Sequence, residues 1–311
     1  MSNYRDSTIL VTGGGGFIGS NLVDLLINEN YKVIVIDDLS TGLESNLNKS
    51  ATYFFHDIMD YIKDSGKLFS IIKENNIKAI YEKKKIHENE IQELIKEFKN
   101  ERINGINVTV PFKKSIIPFL DELTPLAHEA QSVNTLYKIN NKIFGDNTDI
   151  GGFEQSLKYI NINVKKKKVF IMGAGGVVPS IIIALKRLEA GKIILSNRTK
   201  EKAEDLKKIY SNLEIINWGD TPDADVIINA TSLGLKKTDE IKLNYSEIGS
   251  NKLFYDIIYN PKETKFLTKA KQFGNQIENG KMMFIYQARL AFQIWHKILP
   301  KVSNETLKIV N

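Results

Sequence analysis

A chain of 311 residues with 42% hydrophobic and 26% charged residues is long enough for two domains and has the balance of a folded, non-fibrous protein. The absence of cysteine excludes disulfides, thiolate catalysis and cysteine-ligated zinc, and it fits a cytoplasmic protein. The net charge of +6 includes lysine runs at 83–85 and 165–168, which lack interleaved aromatics and so read as solvated edges, not as a nucleic-acid surface.

No stretch of 18 uninterrupted apolar residues occurs, so no membrane span is expected. The opening MSNYRDS runs through a short apolar segment directly into glycines, which is not a signal-peptide layout. His56, His87, His128 and His296 are far apart and lack metal-ligand spacing, so no metal site is predicted.

Thr8 to Thr12 reads as a strand, and Phe17, Ile18, Leu22, Leu25 and Leu26 form the apolar pattern of a helix running to about Glu29. Lys32 to Ile36 is a second strand that ends at Asp37 and Asp38. Between them, Gly13, Gly16 and Gly19 have the spacing of a dinucleotide turn, where the backbone approaches a pyrophosphate and free helix amides meet it. Asp37 stands where an acid accepts bonds from the adenosine ribose hydroxyls, which favours NAD. Ala51 to Phe55 reads as a third strand, with Asp57 and Ile58 placed near an adenine. Gly13, Gly16, Phe17, Ile18, Gly19, Asp37, Asp57 and Ile58 therefore form a candidate second nucleotide site. Tyr61 to Asn75 reads as a helix and Ile77 to Tyr81 as a fourth strand.

Ile86 to Phe98 is an amphipathic helix, with Ile91, Leu94, Ile95 and Phe98 at three and four spacings. The β-branched segment Ile103 to Val110 is halted by Pro111 and delivers Lys113 at its exit, on the first turn of a following helix. After an irregular stretch from Pro118 to Leu126, a strand begins at Ser132 to Leu136. It turns at Asn140-Asn141-Lys142 and returns through Ile143 to Gly145. Asp146-Asn147-Thr148-Asp149 and the pair Gly151-Gly152 follow, then a helix from Phe153 to Tyr159.

Val169 to Met172 enters a second glycine turn at Gly173, Ala174, Gly175, Gly176 and Val177, followed by a helix to Leu188 and a strand from Lys192 to Leu195. This is half of a dinucleotide-binding unit, although Val178 occupies the third glycine position of the usual pattern. The second strand ends in Asn197, Arg198 and Thr199, with Lys202 close behind and no acid. A guanidinium beside a hydroxyl suits the extra phosphate of NADP. Further on come a helix over Ala203 to Tyr210 and strands at Leu213 to Ile216, Asp223 to Asn229 and Lys252 to Ile257. A helix over Thr264 to Phe273, a strand at Asn275 to Ile277 and a last helix from Met282 to about Ile298 complete the chain.

TGGGGFIGSNLVDLLI and VIVIDDLSTG resemble the first two strands of the extended short-chain dehydrogenase/reductases, in particular the nucleotide-sugar epimerases, over residues 7–76. Their Tyr-x-x-x-Lys helix has no counterpart, because Tyr286 is followed four positions later by Leu290, so this likeness supplies no chemistry.

A second likeness covers residues 77–297. NVTVPFK, SVNTL, GDNTD, GAGG, NRT, NATS, Tyr259-Asn260-Pro261 and ENGKMMFIYQA, in that order, resemble the shikimate dehydrogenase family. The resemblance implies reversible NADPH-dependent reduction of 3-dehydroshikimate to shikimate, with Lys113 and Asp149 as the catalytic pair. It implies Thr109, Asn134, Asn147, Tyr259 and Gln287 as substrate ligands. Gly173 to Val177, Asn197, Arg198, Thr199, Lys202, Thr231, Ser232, Gly280 and Met283 would face NADP. Ketone reduction needs a proton delivered to oxygen as hydride reaches carbon, and an ammonium can deliver it.

The chain departs from that family at its start. The first strand and a Ser-x-Ser pair that holds the substrate carboxylate are absent, and the epimerase-like segment stands in their place. Their loss removes charge-assisted bonds to substrate and lowers the activity expected. Thr8 to Thr12 or Val33 to Ile36 is the candidate to fill the vacant strand lane.

The expected fold is α/β: a Rossmann-type three-layer domain at 157–281, a truncated or rebuilt substrate domain at 77–156 completed by helix 282–298, and an extra Rossmann-like half at 1–76. The expected partner is a small molecule, in a monomer or homodimer, with NADP as cofactor and NAD at the N-terminal glycine loop as an addition. An NAD-dependent nucleotide-sugar epimerase or dehydratase, and a non-catalytic nucleotide-binding fusion, are the alternatives.

Overall fold

A computed structural model describes residues 8–12, 17–36, 44–54, 84–100, 102–303 and 306–307. The chain forms two compact units, residues 1–85 with Ser303–Val310, and residues 86–302.

In the first unit, β1 (Thr8–Thr12), α1 (Phe17–Asn28), β2 (Lys32–Ile36) and β3 (Thr52–Phe54) make a βαβ unit and one further strand. The three strands lie parallel in the order β1-β2-β3, with Thr8 opposite Lys32 and Ile34 opposite Thr52. Val23, Val33 and Val35 form its small core, joined by Leu26, Ile27 and Tyr31. Leu22 and Leu25, predicted to share the apolar face, are exposed at 44% and 57%, because a three-stranded sheet covers only a strip of the helix. Gly13, Gly16, Asp37, Asp57 and Ile58, the 61–75 helix and the 77–81 strand lie outside the described residues. Phe17, Ile18 and Gly19 open α1. The expectation that β1 or β2 fills a vacant lane of the substrate sheet is not met, since both belong to a sheet of their own.

The second unit contains two sheets. The smaller is formed by β4 (Ile106–Asn107), β5 (Glu122–Leu123), β6 (Thr135–Ile139) and β7 (Lys142–Asp146), in the order β4-β6-β7-β5. The β6–β7 hairpin turns on Asn140 and Asn141, both at positive φ (49° and 62°), a conformation asparagine tolerates better than most residues. Helices α2 (Ile91–Lys99) and α3 (Pro125–Ala130) belong with it. Ile91, Ile95 and Phe98 bury the predicted face of α2 against Leu136 and Ile143.

The larger sheet follows α4 (Thr148–Tyr159). Its strands and helices run β8 (Lys168–Met172), α5 (Val178–Arg187), β9 (Lys192–Ser196), α6 (Lys200–Ile209), β10 (Leu213–Ile215), β11 (Val226–Asn229), α7 (Tyr245–Ile248), β12 (Leu253–Asp256), α8 (Lys265–Gln272) and β13 (Gln276–Glu278). All six strands are parallel, in the doubly wound order β10-β9-β8-β11-β12-β13. Covered on both faces, β8, β9 and β11 read as continuous apolar runs. The break in strand order between β8 and β11 opens the crevice where such folds take a ligand.

The last helix, α9 (Lys281–His296), lies along α4. Gly151 and Gly152 permit this approach, since a Cβ on Gly152 would come within 2.9 Å of Gln287 and the Met283 carbonyl. At its far end Trp295 Nε1 donates to the Leu136 carbonyl at 2.9 Å, and Gly105 leaves room for the indole. The helix therefore ties the dinucleotide half to the small sheet. Lys165 and Lys168 pair with Glu189 and Asp223, at 2.9 and 2.7 Å, and Lys167 lies 3.8 Å from Asp225, so the 165–168 run is partly neutralised by its neighbours. Among the described residues no helix is long and apolar enough to cross a membrane.

Candidate active site

Lys113 was expected on the first turn of a helix; it sits instead in a run of turns that ends in a short 3-10 segment, Ile117–Phe119. Pro111 and Pro118 each remove an amide donor, and the segment mixes one α-type bond, Ile116 amide to Phe112 carbonyl at 3.0 Å, with tighter turns such as Ile117 amide to Lys114 carbonyl at 3.2 Å. The Phe112 amide bonds the Thr109 carbonyl at 2.9 Å, and the Val110–Pro111 peptide is cis.

Asp149 comes from the first turn of α4, where unpaired helix amides favour a carboxylate. Lys113 Nζ donates to Asp149 Oδ2 at 2.6 Å, with side chains only 11% and 8% exposed. A pair so far out of water holds together only with further hydrogen bonds around it, and Asn134 supplies them. Its Nδ2 donates to Asp149 Oδ1 at 3.0 Å and to Thr148 Oγ1 at 2.9 Å, and lies 3.4 Å from Gln287 Oε1. Its Oδ1 accepts from the Thr148 amide at 2.8 Å and from Thr135 Oγ1 at 3.0 Å.

The glycine turn lies beside this pair. Gly173 has φ 113°, and a Cβ there would meet the Ala230 carbonyl at 2.7 Å, so glycine is required. Gly175 and Gly176 instead face open space: a Cβ on Gly176 would find Lys113 Cδ and Val110 Cγ2 no nearer than 3.9 Å. The stem of Lys113 thus borders the open side of the turn. Ala174 and Val177 complete the turn, and Asn197 Oδ1 accepts from the Ala174 amide at 3.1 Å. Arg198, Thr199 and Lys202 are exposed, and Arg198 pairs with no carboxylate among the described residues. An open two-glycine cradle with an uncommitted guanidinium at the next strand end fits a phosphorylated dinucleotide.

The remaining predicted residues are distributed around the crevice. Thr109 is exposed at the turn before Lys113. Tyr259 stacks on Phe284 with ring centroids 4.8 Å apart, and Phe284 shares one face of α9 with Gln287. Gly280 is structural, since a Cβ would lie 2.0 Å from the Ile257 carbonyl, and Met283 is buried against the sheet. Ser232 is exposed after β11, whereas the Thr231 hydroxyl is committed to Asn229 Oδ1 at 2.7 Å and the Leu233 amide at 3.0 Å.

Asn147 has its side-chain amide bonded within the protein. Its Nδ2 donates to the Ser132 carbonyl at 2.8 Å and Ser180 Oγ at 2.9 Å, while Oδ1 caps α4 through the Ile150 amide. Both amide hydrogens are spent inside the protein. Sequence reading missed Thr148 and Thr135, although both lie inside quoted motifs, and missed Asp256. This carboxylate is fully buried and accepts from Thr264 Oγ1 at 2.6 Å and from Asn229 Nδ2 and the Ile258 amide at 3.0 Å each. Burial pushes its pKa up to about 6 despite these three donors.

The family model for the shikimate dehydrogenase substrate binding domain matches residues 68–136, and that for shikimate / quinate 5-dehydrogenase matches 155–264. The NAD dependent epimerase/dehydratase family matches 9–93. The shikimate dehydrogenase (NADP(+)) of Pelagibacter ubique is 58% identical over 240 residues, covering 77% of this chain and 91% of that protein. Among solved structures, shikimate dehydrogenase from Aquifex aeolicus matches with TM-score 0.73 and 38% identity over 80% of this chain and 94% of its own. The Thermus thermophilus shikimate 5-dehydrogenase in complex with NADP(H) and shikimate matches with TM-score 0.73 and 26% identity over 79% and 93%.

Proposed function

The chain belongs to the shikimate dehydrogenase family, and from that premise we propose that it carries out the reversible NADPH-dependent reduction of 3-dehydroshikimate to shikimate. The observation that carries this reading is the desolvated Lys113–Asp149 contact at 2.6 Å beside the open side of the glycine turn.

NADPH, when bound, supplies the hydride. Gly175, Gly176 and the start of α5 would hold its pyrophosphate, with Arg198, Thr199 and Lys202 around the extra phosphate. Lys113 keeps the proton at Nζ and gives it to the ketone oxygen, so that carbonyl carbon and oxygen gain hydride and proton to become a secondary alcohol; oxidation runs the same path backwards. Asp149 orients the ammonium and accepts from a substrate hydroxyl. Asn134 fixes Asp149 through its Nδ2, and Gln287, whose Oε1 lies 3.4 Å from that nitrogen, presents a further polar group to a polyol, with Thr109 and Tyr259 at the rim.

We assign residues 77–156 with helix 282–298 to the substrate domain, 157–281 to the NADP domain and 1–76 to the epimerase-like segment. The β1–α1–β2 order supports NAD binding at Gly13, Gly16, Gly19 and Asp37 as a second reading.

The test is shikimate oxidation with NADP and with NAD. Lys113→Ala should lower kcat about 10³-fold while NADP affinity stays within about threefold. Equal loss of both would end the catalytic assignment. Arg198→Ala should weaken NADP about tenfold or more and leave NAD nearly unchanged; a parallel loss would remove the phosphate-reading role.

A further inference from the structure

Two buried serines with no role in the chemistry above lie between the glycine turn and the Lys113–Asp149 pair. Ser132 is 2% exposed, and its hydroxyl donates to the Gly176 carbonyl at 3.1 Å. Ser180, in the first turn of α5, is fully buried. Its hydroxyl donates to Asn147 Oδ1 at 3.1 Å and accepts from Asn147 Nδ2 at 2.9 Å. The other hydrogen of that amide goes to the Ser132 carbonyl at 2.8 Å. A closed path therefore runs from the glycine turn through Ser132, Asn147 and Ser180 to the helix that the turn opens.

The same segment continues toward the chemistry. The Val133 amide donates to the Lys113 carbonyl at 2.8 Å, and Asn134 holds Asp149 at 3.0 Å. Residues 132, 133 and 134 thus touch the glycine turn, Lys113 and Asp149 in succession. Asn147 also caps α4, two residues before Asp149. Serine is a poorer helix former than alanine, and burying a hydroxyl costs free energy unless its bonds return it. Packing alone gives no reason for hydroxyls at these two positions.

We propose that Ser132 and Ser180 are positioning residues that lock the glycine turn to the Lys113–Asp149 pair, so that a dinucleotide held by the turn stiffens the acid-bearing start of α4. A ligand on the Gly175–Gly176 cradle restrains the Gly176 peptide, whose carbonyl is the Ser132 acceptor. Through Asn147 that restraint reaches the cap of α4, and through Asn134 it reaches the carboxylate.

The experiment is amide hydrogen exchange over residues 148–151 of the full chain, with and without NADPH, in the parent, Ser132→Ala, Ser180→Ala and Ser132→Thr. In the parent, NADPH should slow exchange there about tenfold; in both alanine variants the slowing should fall below about twofold while the NADPH Kd stays within about threefold. Ser132→Thr, which keeps a hydroxyl, should restore most of the slowing. The kinetic arm rests on the dehydrogenase reading: the alanine variants should lose about tenfold in kcat with the shikimate KM within about threefold.

Alanine variants that keep the NADPH-induced slowing, or lose it only in proportion to lost NADPH affinity, overturn the proposal. If the parent oxidises no shikimate, the dehydrogenase reading fails and the exchange result still decides this one. Ser132→Cys and Ser180→Cys, which keep the volume without the strong donor, replace either alanine variant that does not fold.

Discussion

Two regions of the second unit bury a carboxylate and compensate it differently. Around Asp149 the compensation is a full opposite charge at 2.6 Å, reinforced by the Asn134 amide. Around Asp256 it is three neutral donors, from Asn229, Thr264 and the Ile258 backbone, and the group's pKa is pushed up to about 6. The first region borders the open side of the glycine turn. The second braces the loops after β11 and β12, including the one that carries Tyr259. A buried acid beside an ammonium is offset by charge; one ringed by dipoles is offset only in part, with a stability cost that depends on pH.

The sharpest break in this contrast is Asp149→Asn. It should lower kcat for shikimate oxidation by about 10³-fold, because the ammonium loses the partner that aims it. A variant retaining a tenth or more of the parental kcat would make Asp149 structural, like Asp256. The opposite outcome is expected for Asp256→Asn, with kcat within about threefold.

Its stability signature follows from the direction of the shift. The folded Asp256 pKa of about 6 lies above the unfolded value of 3.8, so the native state binds more protons between them. Stability from this group is greatest below the unfolded value and is lost as pH rises through 6. Relative to the parent, Asp256→Asn should therefore gain about 2 kcal/mol between pH 4 and pH 7, read from urea unfolding at each pH. A difference that does not vary with pH would refute the assignment. Thr264→Val, which removes both a donor to Asp256 and the cap of α8, should cost about 1 kcal/mol and move the pH-dependent step upward. An unmoved step would mean that the Thr264 hydroxyl does not face the carboxylate in solution.

Legibility of the site followed the same division. Lys113, Asp149, Asn134 and Gln287 stand in motifs that carry the family resemblance, and the fold brings them together. Asp256 and Thr264 lie in a stretch that reads only as a strand end and a helix start. Nothing local indicates that the two side chains meet eight positions apart inside the protein. The Asn147–Ser180 bond was not legible for a related reason: an asparagine two positions before an aspartate has the same appearance in sequence whether or not its amide meets a buried serine. The parallel strands were legible because both faces are buried and leave continuous apolar runs. The turn at Lys113 was not, because two prolines outweighed the helical spacing around them.

The indole of Trp295 bridges α9 and β6, while Trp218, the other tryptophan, packs against the cluster on one face of the large sheet that includes Phe170, Ile194 and Ile241. Each fluorophore therefore reports on a separate part of the second unit. With Trp218→Phe, emission would read the junction of α9 with the small sheet alone; with Trp295→Phe, it would read one face of the large sheet. The protein thus contains its own two-channel optical probe of whether its halves loosen together or one after the other.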